Sequence, residues 1–260
     1  MDLHLAGKLA LVTGASRGIG LAITRSLITE GATVVGSART VSTELADSGA
    51  HVVTADLATP AGPAEVVRSV LDRHGDIDIL VNNVGGGDPT DLRAFFDYDD
   101  ALWQKTFDLN FFSAVRICRA AMASVVRRQG VILNISSVGA RMPQSGPVPY
   151  TTAKAALTAF GKALAEEYGA EGVRVATVTP GPTRTSLWTD PDGFGGAVAA
   201  AQGISHADLL AGLAAASGIR SGQLIEPEQV ASLVAYLASP LAASMTGQEY
   251  LVDGGAIKTV

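Results

Sequence analysis

Leu9-Ala10-Leu11-Val12-Thr13-Gly14-Ala15-Ser16-Arg17-Gly18-Ile19-Gly20 decides how this chain reads. A short apolar run of strand length meets a glycine-rich turn, and a helical pattern over 17–30 follows directly. Glycines at such a turn let backbone amides approach a pyrophosphate, and the start of the helix supplies partial positive charge. A glycine-rich turn can be purely structural. Its place after an N-terminal strand, opening a helix, favours a nucleotide instead. The spacing Gly-x-x-x-Gly-x-Gly differs from the Gly-x-Gly-x-x-Gly dinucleotide fingerprint.

Outward from this stretch, strand-length apolar runs alternate with longer helical patterns. Strands are expected at Thr33–Ser37, His51–Ala55, Ile77–Asn82, Gly130–Ile135, Val173–Thr179 and Glu249–Val252. Helices are expected over about 61–74, one long run at 99–128, then 149–170 and 227–238. This alternation predicts an α/β fold, a doubly wound parallel sheet of about seven strands with helices on both faces. Strands covered on both faces should be almost uniformly apolar. No linker marks a boundary, so one domain over 1–260 is expected. Within it, the irregular segment 182–225 is long enough to be a functional insert, with helices in its alanine-rich half, 197–216.

Composition narrows the partners. Apolar residues make up 47% and charged residues 17%, which excludes a disordered chain. A net charge of −6 and no basic run beyond Arg127-Arg128 argue against nucleic acid. Cys118 is the only cysteine, so no intrachain disulfide forms, and its apolar neighbours make it a buried small hydrophobe. The N-terminus lacks a signal-peptide pattern, and the apolar stretch 209–219 is too short for a bilayer. A soluble cytoplasmic protein, with no membrane partner, is the expectation. His4, His51, His74 and His206 are scattered without metal-ligand spacing, so no metal site is expected.

Chemistry concentrates in Ser137, Tyr150 and Lys154. A tyrosine is a poor acid or base near neutrality, with a pKa of about 10. A lysine four residues on shares its helix face, and an ammonium there favours the phenolate. Ser137 could hold a carbonyl oxygen before the phenol. Tyr-x-x-x-Lys alone is a weak pattern. What strengthens it is its company.

The glycine turn resembles the opening motif of the short-chain dehydrogenase/reductase family, and the resemblance covers nearly the whole chain. Asn82-Asn83-Val84-Gly85 is similar to the family's Asn-Asn-Ala-Gly, with valine for alanine. Asn110 in Asp-Leu-Asn resembles its helical asparagine, and Ser137, Tyr150 and Lys154 its catalytic residues. Pro180-Gly181, Thr183 and Thr185 resemble its nicotinamide-side turn, and Asp253-Gly254-Gly255 its C-terminal signature. The resemblance implies reversible hydride transfer between nicotinamide and a ketone or secondary alcohol. It assigns Tyr150 as acid/base, Ser137 as holder of the substrate oxygen, and Lys154 to both the phenol and the nicotinamide ribose. Asn110 would hold a water in a proton relay. The cofactor set is then Gly14, Ser16, Arg17, Gly18, Ile19, Gly20, Arg39, Asp56, Leu57, Asn83, Gly85, Tyr150, Lys154, Pro180, Gly181, Thr183 and Thr185.

Cofactor preference follows from charge. A carboxylate after the second strand would bond the adenosine ribose and repel a 2′-phosphate. Here Arg39 follows that strand, and with Arg17 it offers two guanidinium groups suited to phosphate. NADP is expected, with NAD possible. Trp103 and Phe107 read as core or subunit packing. Asp97, Asp99 and Asp100 read as helix N-terminal charges. Trp188 reads equally as substrate contact or lid packing. The apolar residues of 182–225 suggest a partly hydrophobic substrate, from a β-ketoacyl thioester to a smaller ketone, walled also by the loop 86–97. The family's habit implies a tetramer or dimer through the two long helices. Two other functions stay open: a sugar-nucleotide epimerase or dehydratase, and a catalytically silent NADP-binding scaffold or sensor.

Overall fold

In chain order the elements are β1 (Leu9–Thr13), α1 (Gly18–Thr29), β2 (Thr33–Ala38), α2 (Thr43–Ala46), β3 (His51–Thr54), α3 (Gly62–His74) and β4 (Ile79–Asn82). There follow α4 (Asp100–Phe107), α5 (Ser113–Arg128), β5 (Val131–Ile135), α6 (Val148–Tyr168), β6 (Arg174–Pro180), α7 (Ser186–Thr189), α8 (Phe194–Gln202), α9 (His206–Ala216), α10 (Pro227–Ala238) and β7 (Glu249–Val252). This computed structural model describes residues 1–86 and 93–258.

The strands form one seven-stranded sheet in the order β3-β2-β1-β4-β5-β6-β7, parallel throughout. Successive strand residues point to opposite faces, and both faces are covered. Ala10 and Val12 of β1 pack in a layer with Leu21, Ile23 and Leu27 of α1 and Val230, Val234 and Leu237 of α10. Leu9 and Leu11 face the other layer, with Val66 and Val70 of α3, Ile117 and Val125 of α5, and Leu164 of α6. The strand order reverses between β1 and β4. In doubly wound sheets ligands bind beyond the carboxyl ends of the strands at that point.

The edges depart from the uniform apolar pattern. His51–Thr54 and Glu249–Val252 are only partly buried, because each pairs on one side alone. The β4 ladder begins at Ile79 and not Ile77, although the Asp78 amide already donates to the Leu9 carbonyl and its carbonyl accepts from the Val131 amide. The run expected over 99–128 is helical, yet it is broken into α4 and α5 by a wide π turn at Asp108–Phe112. By length and composition Asp100–Arg128 could cross a membrane, but half of it is buried in the fold, as in a core helix. Short helix α2 was not foreseen. Ser42 caps it by accepting a bond from the Leu45 amide.

Asp78 ties three elements together. Its carboxylate is almost fully buried and accepts from the Leu9 amide at 2.9 Å, Lys8 Nζ at 3.2 Å and Arg128 Nε at 3.0 Å. Asp78→Ala should lower unfolding free energy by about 1–3 kcal/mol, measured by urea denaturation. The loss stays at this level because both cations are partly exposed and can return to water.

Candidate active site

The glycine turn is shaped by its neighbours. The buried Thr13 hydroxyl donates to the Val81 carbonyl (3.1 Å) and accepts from the amides of Asn83 (2.9 Å) and Val84 (3.1 Å), locking β1 to the end of β4. Asn83 Nδ2 donates back to the carbonyls of Thr13 (3.0 Å) and Gly14 (3.1 Å). Gly14 and Gly18 have φ of 66° and 55°, a region that favours glycine. A Cβ on Gly20 would collide with the Gly14 carbonyl and the Asn83 amide. Opposite, a Cβ on Gly18 would lie 3.0 Å from Thr185 Cγ2, so the segment after β6 abuts the turn.

That segment is itself held tightly. The Gly181 amide bonds the Val252 carbonyl, Thr183 Oγ1 donates to the Gly181 carbonyl at 2.9 Å, and Thr183 bridges to Ile225. Ser16 accepts from Ser42 Oγ at 2.6 Å, and Ile19 packs against the core. Arg17 and Arg39 are exposed, and their guanidinium groups make no hydrogen bond or ion pair among the described residues. Asp56 is exposed beyond β3 and accepts from the Ala58 amide, whereas Leu57 is buried in the core. A narrow backbone cradle with two free cations at its rim suits a phosphorylated dinucleotide.

The chemical residues meet where β5 ends against α6. Helix α6 comes close because Gly161 has no side chain: a Cβ there would lie 2.8 Å from both Asn134 Nδ2 and Thr177 Oγ1. Ser137 follows β5 and accepts from the Gly139 amide at 3.1 Å. Its hydroxyl lies near enough to Tyr150 to ease ionisation of the phenol. Tyr150 is half-buried. Desolvation raises its pKa, opposed by Ser137. Lys154 is buried, donates to the Ile135 carbonyl at 2.9 Å, and lies 5.9 Å from the Tyr150 ring centre. Burial pulls the lysine down to about 8. The phenolate-favouring push expected from Lys154 is not among the causes of the Tyr150 shift, and desolvation disfavours the charged form of both groups.

Asn110 sits in the π turn, fully buried. Its Oδ1 accepts from the Gly86 amide (2.8 Å), and its Nδ2 donates to the carbonyls of Gly86 (2.7 Å) and Thr106 (2.9 Å). A Cβ on Gly85 would lie 2.8 Å from Lys154 Nζ and 3.0 Å from Asn110 Oδ1, so these three positions converge. π turns recur at functional sites. Residues 87–92 of the expected pocket loop lie outside the described residues.

The remaining candidates take structural places. Cys118 is buried, pushed up to about 12, and accepts from Asn82 Nδ2 at 3.2 Å. Trp103 and Phe107 lie 6.0 Å apart on α4. Asp99 caps α4 through the Leu102 amide. His51 and His74 pair at 4.4 Å, and His206 bonds the Trp188 carbonyl. Trp188 packs against the core and edge-on to Phe194 at 5.3 Å. Leu209 and Leu213 are buried, so much of the apolar content of 182–225 goes into packing rather than into a substrate wall. Thr13 and Ser42 were missed from sequence. A serine before Thr-Glu-Leu is a helix-cap signal that pointed to Ser42; nothing local marked the hydroxyl of Thr13.

A family model described as Enoyl-(Acyl carrier protein) reductase matches residues 14–256. The 3-oxoacyl-(acyl-carrier-protein) reductase of Vibrio cholerae is 34% identical, over 97% of this chain and 98% of that protein. An uncharacterized oxidoreductase of Bacillus subtilis is also 34% identical, with both chains covered over 100%. The crystal structure of L-sorbose reductase from Gluconobacter frateurii, complexed with NADPH and L-sorbose, superposes with a TM-score of 0.91 at 33% identity, covering 100% of both chains. With a glycine cradle facing a Ser-Tyr-Lys cluster, this chain belongs to the short-chain dehydrogenase/reductase family and is an NAD(P)-dependent oxidoreductase.

Proposed function

We propose that this enzyme interconverts a ketone and a secondary alcohol with NADP, using Tyr150 as proton donor and acceptor, Ser137, Lys154 and Asn110 as its support, and the glycine turn as phosphate cradle. The observation that carries this reading is the placement of the Lys154 ammonium, which donates to the Ile135 carbonyl two residues before Ser137, lies 5.9 Å from the Tyr150 ring centre and meets Asn110 at Gly85. When bound, NADPH supplies the hydride that reduces the carbonyl carbon.

Each protein group has a physical task. Ser137 donates to the substrate oxygen and holds it before the phenol. Tyr150, kept protonated near neutrality by its raised pKa, gives its proton as negative charge grows on that oxygen. Lys154 at about 8 is largely an ammonium at neutral pH, so it stabilises the phenolate left behind. It also bonds the nicotinamide ribose. Asn110, fixed by Gly86, holds the relay water through the remaining lone pair of Oδ1. Arg17 and Arg39 take the 2′-phosphate. The other cofactor contacts follow the cradle and the segment 180–185, with Asp56 and Leu57 at the adenine.

Segment 182–225 acts as a lid within a single domain, and Trp188 with Ser137 borders the substrate. The names of relatives span a 3-oxoacyl-(acyl-carrier-protein) reductase and an L-sorbose reductase, and both are ketone or alcohol chemistry. The aromatic face of Trp103, Phe107, Phe111, Phe112 and Phe160, half-buried in one chain, supports a homo-oligomer built on α4, α5 and α6. A cytoplasmic location fits this assignment.

Three measurements test the reading. A ketone screen following NADPH absorbance should find turnover, and Tyr150→Phe should reduce it by about 10²–10⁴-fold; a variant as active as the parent removes Tyr150 from the chemistry. Arg39→Ala should weaken NADPH binding by about tenfold or more and leave NADH nearly unchanged, as read by fluorescence titration. Equal losses would mean that Arg39 does not contact the phosphate.

The third concerns stability without cofactor. The Lys154 pKa is lowered on folding to about 8, from about 10.4 in an unfolded chain. Below that window the fold carries the cost of a buried ammonium; across it the unfolded chain binds the extra proton, and stability rises with pH. Lys154→Met should therefore unfold later at pH 7 by about 2 kcal/mol. This advantage should shrink as pH approaches 10, while turnover is lost.

A further inference from the structure

Three consecutive residues at the end of β5 engage one stretch of α6. The Ile135 carbonyl accepts from Lys154 Nζ at 2.9 Å, and Ser137 stands close enough to Tyr150 to ease ionisation of the phenol. Between them stands Ser136, a buried serine that the mechanism above does not use. Ser136 Oγ reaches the backbone carbonyl of Lys154 at 3.1 Å and Thr158 Oγ1 at 2.8 Å. Thr158 Oγ1 lies 3.1 Å from the same carbonyl. Two hydroxyls thus close on one carbonyl, one donating to it directly and the other donating to its neighbour or sharing the same acceptor.

We propose that Ser136 and Thr158 are positioning residues, a hydroxyl clamp that sets the axial and rotational register of α6 against β5, so that Lys154 and Tyr150 stand correctly opposite Ser137. The inference rests on the catalytic roles given above to those three residues. The clamp holds the backbone of the very residue whose side-chain tip is held one position earlier on the strand. Lys154 is therefore fixed at its ammonium by the last residue of β5 and at its main chain by the residue that follows it. Hydrogen bonds between a strand and a helix are not needed for the packing itself, which Gly161 and the apolar layer supply. A threonine bonding its own helix's i−4 carbonyl tends to bend or weaken a helix. Its joint use with a serine of another element turns that local liability into an inter-element tie.

The consequence is geometric. A shift of about 1 Å in a reacting group can cost about a hundredfold in rate, while coenzyme affinity draws on many contacts spread over the crevice. Thr158→Val keeps the shape and removes the hydroxyl; Ser136→Ala removes the other half. Each variant should lower kcat by about tenfold with the NADPH dissociation constant changed little. The primary isotope effect with NADPH deuterated at the transferred position should rise. Thr158→Ser, which restores a hydroxyl, should recover most of the rate.

A second readout needs no coenzyme. Acylation of the cofactor-free protein, read by peptide mass spectrometry, should label Lys154 several-fold faster relative to exposed Lys162 in Thr158→Val than in the parent. If the parent enzyme reduces no ketone, the catalytic reading itself fails. If the parent is active and both variants match it in kcat, isotope effect and Lys154 labelling, the clamp is overturned. If a variant only unfolds earlier, with kcat and labelling unchanged in the folded enzyme, the clamp is overturned in favour of simple stability.

Discussion

A lysine ammonium removed from water and given a single backbone carbonyl is the interaction on which the rest of this site depends. Lys154 donates to Ile135 at 2.9 Å and has almost no solvent contact. Burial of a charge is unfavourable, and the lowered lysine pKa records that cost. The position is tolerable because the sheet, α6 and the π turn hold it from several directions. Desolvation likewise raises the pKa of the Tyr150 phenol. An acid that holds its proton near neutrality, beside an amine able to carry charge when that proton leaves, is a sensible pair for reducing a carbonyl.

The crevice facing this pair is built from backbone. Parallel strands end together, and their carboxyl ends open where the order reverses between β1 and β4. Thr13 and Asn83 stitch those two strand ends into one unit, and the glycines leave space that any Cβ would fill. Gly85 serves the other side in the same way, by admitting Lys154 and Asn110 to a common point. Small residues and inter-strand hydrogen bonds therefore do for the coenzyme side what burial does for the chemical side.

Segment 182–225 carries a different balance. Its opening is anchored by the bridge from Thr183 to Ile225 and by the contact of Thr185 with the glycine turn. Beyond that, α7, α8 and α9 spend Leu209, Leu213 and part of Trp188 on packing. Leu213, Ala214, Ile219, Leu224 and Ile225 join the core layer of β1, α1 and α10, so the segment is tied to the fold by its apolar side chains. Chains similar to this one are named as a 3-oxoacyl-(acyl-carrier-protein) reductase in one case and an L-sorbose reductase in another.

Sequence by itself determined the fold class and most of the strand and helix order, and it singled out the residues to which the chemistry is proposed to belong. The strand runs are apolar on both faces, the glycine turn follows the first of them, and Tyr150 and Lys154 fall one helical turn apart, so local pattern sufficed. Only the tertiary structure decided the break between α4 and α5, a π turn in which the Asn110 side chain meets the Gly86 backbone across space. It also decided the protonation balance, since a four-residue spacing says that two side chains are neighbours but not how far water is excluded from them. The Ser136–Thr158–Lys154 cluster and the role of Thr13 were invisible for the same reason: their partners are distant in sequence, and a hydroxyl's partner is settled by packing.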